Sequence, residues 1–282
     1  MKLKSRRYLI AILPFLLLVL FYELIPILMI VIRSFQPEGH IGFTFDNYIS
    51  IFTKRLYQQA VVNSIFVSVI SSVIGIIIAF FGAKATNEAT SRWRSFFINI
   101  LNMTSNFAGI PLAFAFIILL GNTGILVLLG KEAGISALAD FNVYSVNGLL
   151  LTYIYFQIPL AILLIIPTFD GLRREWKEAV LLLGGSPLIY WTRVAIPTIM
   201  PSLLATLSVL FSNAVAAYAT AYALLANNYS LLPIRISEQF VGDIVQRKEF
   251  GSALAVVLML TMVFATLINN YFVKKSRGGA AR

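Results

Sequence analysis

Residues Glu178–Pro197 read EAVLLLGGSPLIYWTRVAIP, a segment with a definite internal order set between two apolar runs. Just upstream, Leu172, Trp176, Ala179, Val180 and Leu183 fall at helical spacing, so the stretch from Leu172 to Leu183 is expected to be a helix with one apolar face. Arg173, Arg174, Lys177 and Glu178 occupy its other face. Gly184 and Gly185 are expected to stop that helix, because glycine reaches the left-handed conformation a helix end often adopts. Ser186 before Pro187 restarts one, a serine N-cap ahead of a proline at the first helical position. Ile196 and Pro197 are expected to end this second piece and open the next apolar run. The reading is a short helix, a tight glycine corner and a second short helix, a shape suited to docking into another protein's groove.

The surrounding chain is apolar. Of 282 residues, 59% are hydrophobic and only 12% charged, whereas a soluble domain carries about 25% charged residues. Six runs are long enough to cross a bilayer, which takes about 20 residues each. They lie near Tyr8–Ile32, Ala60–Ala83, Phe96–Leu120, Gly148–Phe169, Pro201–Leu225 and Ser252–Phe272. The first follows Lys2, Lys4, Arg6 and Arg7, as a signal peptide would. Its apolar part is too long for one and no small-residue cleavage site follows, so it reads as a retained helix. The expected architecture is an all-α, six-helix polytopic bundle forming a single domain over residues 1–282.

Charge sets its orientation. The net charge of +10 could suggest nucleic acid, but the cations are placed as membrane topology would place them. Most of the 22 Lys and Arg fall at the N-terminus, around Lys84, Arg92 and Arg94, around Arg173 to Arg193, and in the tail from Lys274. With these segments inside, both termini and the Glu178–Pro197 segment are cytoplasmic. The loops Arg33–Gln59, Gly121–Asn147 and Ala226–Gly251 are then outside, too short for a folded domain but able to hold short surface helices.

The residues exclude several chemistries. There is no cysteine and one histidine, His40, in a loop containing Gly and Pro, where it reads as solvated rather than as a metal ligand. No phosphate-cradling Gly-x-x-x-x-Gly-Lys-Ser/Thr loop occurs, so any ATP that drives the protein is hydrolysed elsewhere. For a translocation path, Asn102 and Asn106 stand out in the third span, before Gly109 and Pro111, which break or kink a helix. Asn213, Tyr218 and Tyr222 stand out in the fifth. These groups either line a path or bond between helices. Glu23 is the one carboxylate inside a span, and an ionisable residue there is a functional candidate by default.

The order Glu-Ala, then Gly, then hydrophobic-x-hydrophobic-Pro resembles the EAA loop of ATP-binding-cassette (ABC) importer permeases, the coupling helix of that family. Glu178, Ala179, Gly184, Val194, Ile196 and Pro197 fill the pattern, with Val180 where the family usually has a second alanine. The likeness extends over nearly the whole chain, through NFAGIPLAFAFIILLG, IPLAILLIIPTFDGLRREWKEA and FSNAVAAYATAYALL. It is greatest toward the spermidine/putrescine branch, whose relatives handle iron, thiamine, phosphonates and opines; a sugar is a further alternative. The resemblance implies a type I importer (MetI-like) permease in a prokaryotic inner or plasma membrane, itself no enzyme and holding no cofactor. It implies two ABC ATPase subunits that use ATP, a second permease (identical or not) and an extracytoplasmic binding protein, within membrane lipid and without nucleic acid. It also places contact with the ATPase on Glu178, Ala179, Gly184, Gly185, Pro187 and Pro197. An ion-coupled secondary transporter using Glu23 is the alternative; it would show more ionisable residues in the spans and some repeat symmetry.

Overall fold

The computed structural model describes residues 12–40, 42–241 and 246–279. In chain order the helices are α1 (Ile12–Ser34), α2 (Asp46–Thr53), α3 (Arg55–Glu88), α4 (Ser91–Ser105), α5 (Ile110–Leu120), α6 (Ile125–Glu132) and α7 (Ser136–Ala139). There follow α8 (Val146–Asp170), α9 (Arg174–Leu182), α10 (Pro187–Val215), α11 (Tyr218–Leu225), α12 (Leu232–Phe240) and α13 (Lys248–Gly279). No β-strand occurs among the described residues. Short helices α2, α7 and α12 occupy the three loops where they were expected, and His40 is exposed.

The bundle is built on α3 against α8, its most extensively packed helix pair. Ala60, Ser64, Ser68, Ser71, Ser72, Gly75, Ala79 and Ala83 recur at helical spacing on α3, and all are buried. Small side chains let two backbones approach closely where lipid offers no hydrophobic drive for association. Across this seam lies Gln157 of α8, wholly buried. Its Nε2 donates to Ser71 Oγ at 2.8 Å, and Ser72 Oγ donates to its Oε1 at 3.1 Å. Neither the seam nor Gln157 stood out in the sequence reading.

Two hydrophobic layers surround that seam. At the end carrying Glu178, Ala79, Ala83, Leu101, Ile162, Ile165 and Phe169 pack together; toward the other end, Leu112, Leu149, Tyr153, Phe156, Ala214 and Leu224 do so. Helix α1 lies outside both. None of its most apolar window is buried, and it packs against α13.

Six helices are long and apolar enough to cross a membrane. The second, fourth and sixth expected spans fall within α3, α8 and α13; of the first, residues 8–11 lie outside the described residues. The other two expectations need correction. Phe96–Leu120 is two helices, α4 and α5, separated at Asn106–Gly109, and by length and hydropathy the third candidate span is Ile110–Glu132. Gly109 has φ +72° and ψ −144°, a conformation open in practice to glycine alone, so the helix cannot run through it. Pro201–Leu225 is likewise not one helix. The span is Pro187–Val215, broken at Ala216–Ala217 before α11.

Candidate functional site

Helix α9 is closed by a two-hydrogen-bond corner. The Gly184 N–H donates to Leu181 O at 3.0 Å and the Gly185 N–H to Val180 O at 2.8 Å, the Schellman pairing. The two glycines are needed for different reasons. Gly184 sits at φ +79° in open space, so only its backbone conformation demands glycine. A Cβ on Gly185 would lie 2.7 Å from Val180 Cγ1 and 2.8 Å from Val180 O, so there the demand is for room. Ser186 Oγ then accepts from the Ile189 N–H at 3.3 Å and Pro187 opens the next helix, as the sequence predicts.

That next helix is not short. It continues through Ile196 and Pro197 into α10, correcting the expected stop. Proline lacks an N–H, and its ring crowds the carbonyl four residues back. The helix accommodates both by widening into a π turn at Trp191–Ala195, where the Ile196 N–H reaches Trp191 O. A single rod therefore runs from the glycine corner to the break at Ala216. At 1.5 Å per residue its 29 residues span about 43 Å.

The corner presents apolar side chains to solvent. No residue of α9 is buried, Leu182 and Leu183 are each 88% exposed, and Leu188 is 72% exposed. Leu183, expected on the apolar face, is the helix C-cap and points outward with Leu182. Glu178 and Ala179 are exposed on the same helix. No ion pair joins Glu178 to Arg174 among the described residues, so the local pairing open to it one turn away is not made. Glu178 instead borders a cleft of 490 Å³ shared with Lys84, Glu88, Arg173, Arg174 and Lys177.

One carboxylate ties the bundle together just ahead of this corner. Asp170, the last residue of α8, accepts from Asn87 Nδ2 at 2.9 Å and from Arg94 Nη2 at 2.6 Å, joining the ends of α3, α4 and α8 just before α9 begins. Sequence reading counted Arg94 only toward topology and passed over Asp170; the available signal was a lone carboxylate closing an uncharged run. Both partners are about a third or more exposed, which limits what the pair contributes. Asp170→Ala is expected to lower stability in detergent by about 1 kcal/mol, read by thermal unfolding. The exchange Arg94→Asp with Asp170→Arg should recover part of that loss, and failure to do so would assign the loss to Asn87.

The two helix breaks meet, a Cβ on Gly109 lying 3.8 Å from Ala219 Cβ. Thr220 Oγ1 of α11 donates to Gly109 O at 3.2 Å, a carbonyl that also accepts the Ala113 N–H at 3.1 Å, and Tyr153 OH of α8 donates to Ala217 O at 2.6 Å, so each break is bonded to a neighbouring helix. Tyr218 and Tyr222 stack with centroids 5.3 Å apart, and Ser237 Oγ donates to Tyr218 OH at 3.2 Å. Asn106 Nδ2 donates to Asn102 O at 2.8 Å. Asn102, Asn106, Asn213 and Tyr222 are exposed on this chain. The structure thus gathers the third- and fifth-span candidates around two interruptions. Glu23 is not among them: it is exposed on α1, which makes no substantial contact with α4, α5, α10 or α11.

A six-span bundle with such a corner and paired breaks invites comparison with known membrane proteins. The profile of a family described as "Binding-protein-dependent transport system inner membrane component" matches residues 71–278. The chain belongs to that family. It is the inner-membrane permease of an ABC importer, and α1 with Glu23 lies outside the matched region. The trehalose transport system permease protein SugB of Mycobacterium tuberculosis is 25% identical over 277 residues, 94% of each chain. The spermidine/putrescine transport system permease protein PotB of Haemophilus influenzae is 25% identical over 260 residues, 90% of this chain and 88% of the relative. The sulfate transport system permease protein CysW of Synechocystis is 23% identical over 258 residues, 89% of this chain and 90% of the relative. Among solved structures, a bacterial ABC transporter that imports alginate superposes over 97% of both chains with TM-score 0.77 at 14% identity. The methionine transporter MetNI superposes over 78% of the permease and 96% of its own chain, with TM-score 0.55 at 15% identity. These likenesses establish the all-α, six-span MetI-like fold.

Proposed function

We propose that this permease moves a small solute, delivered by an extracytoplasmic binding protein, through a path shared with a second permease, driven by two ATPase subunits that dock on the glycine corner. The observation that carries the reading is the corner itself: an exposed, hydrogen-bonded turn bearing Leu182, Leu183 and Leu188, continuous with a rod that ends at the break after Val215. An apolar patch of this kind on a rigid support marks a protein interaction site. Glu178, Ala179, Gly184, Gly185 and Pro187 form the contact, and Pro197 lies in the rod just behind it. The Lys and Arg distribution supports a cytoplasmic position for this end and for both termini.

The mechanism follows from the rod. ATP can shift the bundle between two states only through a difference in affinity for them. Because α10 is continuous from Pro187 to Val215, displacement of its docked end reaches Ala216–Ala217 and the neighbouring Asn213 directly. The break at Gly109 is bonded to α11 through Thr220, so the two interruptions respond together. Asn102, Asn106, Asn213 and Tyr222 are polar groups exposed on this chain beside the two breaks, and in this reading they face the path and the second permease.

For cargo, a polyamine is the reading we favour, supported by the branch resemblance and by the stacked Tyr218–Tyr222 pair, whose ring faces suit a cation. PotB is one such relative, beside others named for trehalose and sulfate. Mild-detergent purification from native membranes tests the docking assignment. An ATPase subunit is expected to co-purify with the wild-type chain and to be released by Glu178→Arg. Its absence from the wild-type preparation, or its full retention by the variant, would remove the docking assignment.

A further inference from the structure

The cleft behind the corner has a composition that docking does not explain. Lys84, Arg173, Arg174 and Lys177 line it together with Glu88 and Glu178, an excess of two positive charges. Among the described residues none of the six forms an ion pair, in contrast to Asp170 nearby, which Arg94 neutralises. The cations are thus left without a partner charge.

Three helices fix the depth of this cleft in the membrane. Lys84 is the first charge on α3 after the uncharged run from residue 56, and Asp170 is the first on α8 after Asp140. On α10, Arg193 is the last charge before the apolar stretch. All three boundaries coincide at the cleft, whose walls include Phe169, Tyr190 and Trp191. Tyr and Trp rings collect at the level of lipid headgroups. The Lys84 ammonium lies 4.8 Å from the centroid of the Trp191 ring, held at that level by a cation–π contact.

We propose that this cleft binds the headgroup of an anionic phospholipid. Its 490 Å³ falls within the range of small-molecule sites. Arg173, Arg174 and Lys177 supply the donors for a phosphodiester, Arg with a planar fork matched to phosphate oxygens. The aromatic wall of Tyr190 and Trp191 takes the glycerol and the start of the acyl chains. Basic pockets between spans at the cytoplasmic face bind anionic headgroups by this same physics. A lipid seated there would back α9 against the bundle. The proposal needs only the membrane-spanning fold; the cleft shares Glu178 with the docking assignment, but the lipid readout does not depend on an ATPase.

The test is native mass spectrometry of the full chain, released from nanodiscs that hold equal amounts of phosphatidylglycerol and phosphatidylcholine. The wild-type chain is expected to retain phosphatidylglycerol selectively. At roughly fivefold per cation near a membrane surface, Arg173→Gln with Arg174→Gln should reduce that preference roughly 25-fold. Lys54→Gln, at the other end of the bundle, should leave it unchanged. If the double variant does not fold, Lys177→Gln alone is read, with a roughly fivefold loss expected. Equal retention of the two lipids, or a preference untouched by the cleft variants, would overturn the proposal. So would millimolar inorganic phosphate stabilising the wild-type chain as strongly as phosphatidylglycerol does, since the site would then be one for a free anion.

Discussion

Gly184→Pro is expected to reduce solute uptake by roughly a hundredfold while the chain still inserts and accumulates in the membrane. Proline cannot adopt φ +79°, and it removes the N–H that donates to Leu181 O. A misplaced proline of this kind costs about 3 kcal/mol or more, which is roughly two powers of ten in an equilibrium. The loss falls on the docking corner and not on the core, because no side chain of α9 is buried. Two milder variants calibrate the result. Gly184→Ala meets open space and bears only the left-handed backbone cost of about 1–2 kcal/mol, so uptake should fall about tenfold. Gly185→Ala drives its Cβ to 2.8 Å from the Val180 carbonyl, so the turn itself must shift, and its effect should exceed that of Gly184→Ala. Uptake measured in vesicles alongside the amount of membrane-inserted chain gives the order. Wild-type uptake by Gly184→Pro would show that the corner's geometry is not used in coupling.

What the sequence made legible was local. The corner could be read from Glu178 to Pro187 because each signal — two glycines, a serine cap, a proline at the first helical position — acts within a few residues of itself. The six apolar runs were legible for the same reason. The break at Gly109 was half visible, since the glycine and Pro111 warned of it but did not say whether the helix would kink or end. The break at Ala216–Ala217 gave no warning at all. Alanine is the best helix former, and what holds Ala217 open is the Tyr153 hydroxyl, 64 residues away in sequence. Proline misled in the opposite direction. Pro197 looked like a stop, yet a π turn carries the helix past it, and Pro159, Pro167 and Pro201 also sit inside continuous helices. Side-chain direction on α9 was the remaining gap, since Leu182 and Leu183 gain their burial from nothing in this chain.

Gly75→Leu is expected to destabilise the bundle more than any substitution on its lipid-facing surface. Gly75 stands where α3, α8 and α10 converge: a Cβ there would already lie 3.4 Å from Gln157 Cβ and 3.9 Å from Leu210 Cδ1. The remaining three carbons of leucine have no space between α3 and α8, and Gln157 cannot retreat without breaking its bonds to Ser71 and Ser72. Overpacking of a well-filled core costs about 1–3 kcal/mol, and a buried polar group left unpaired adds about as much again. A loss of about 3 kcal/mol or more should appear as a large fall in the unfolding temperature in detergent and in the amount of chain recovered. Ile77→Leu is the control: two residues along the same helix, it is 53% exposed and should change nothing measurable. Gly82→Leu should fall between them, because its Cβ meets only the Ile162 side chain, with Cδ1 at 2.6 Å and Cγ1 at 3.1 Å, and no buried hydrogen bond is broken when that side chain shifts. This ranking separates close backbone approach from general hydrophobicity, since all three variants carry the same apolar side chain. If Gly75→Leu unfolded at the wild-type temperature, the small-residue seam would not be what joins α3 to α8, and the stability of the bundle would have to come from α10 and α13.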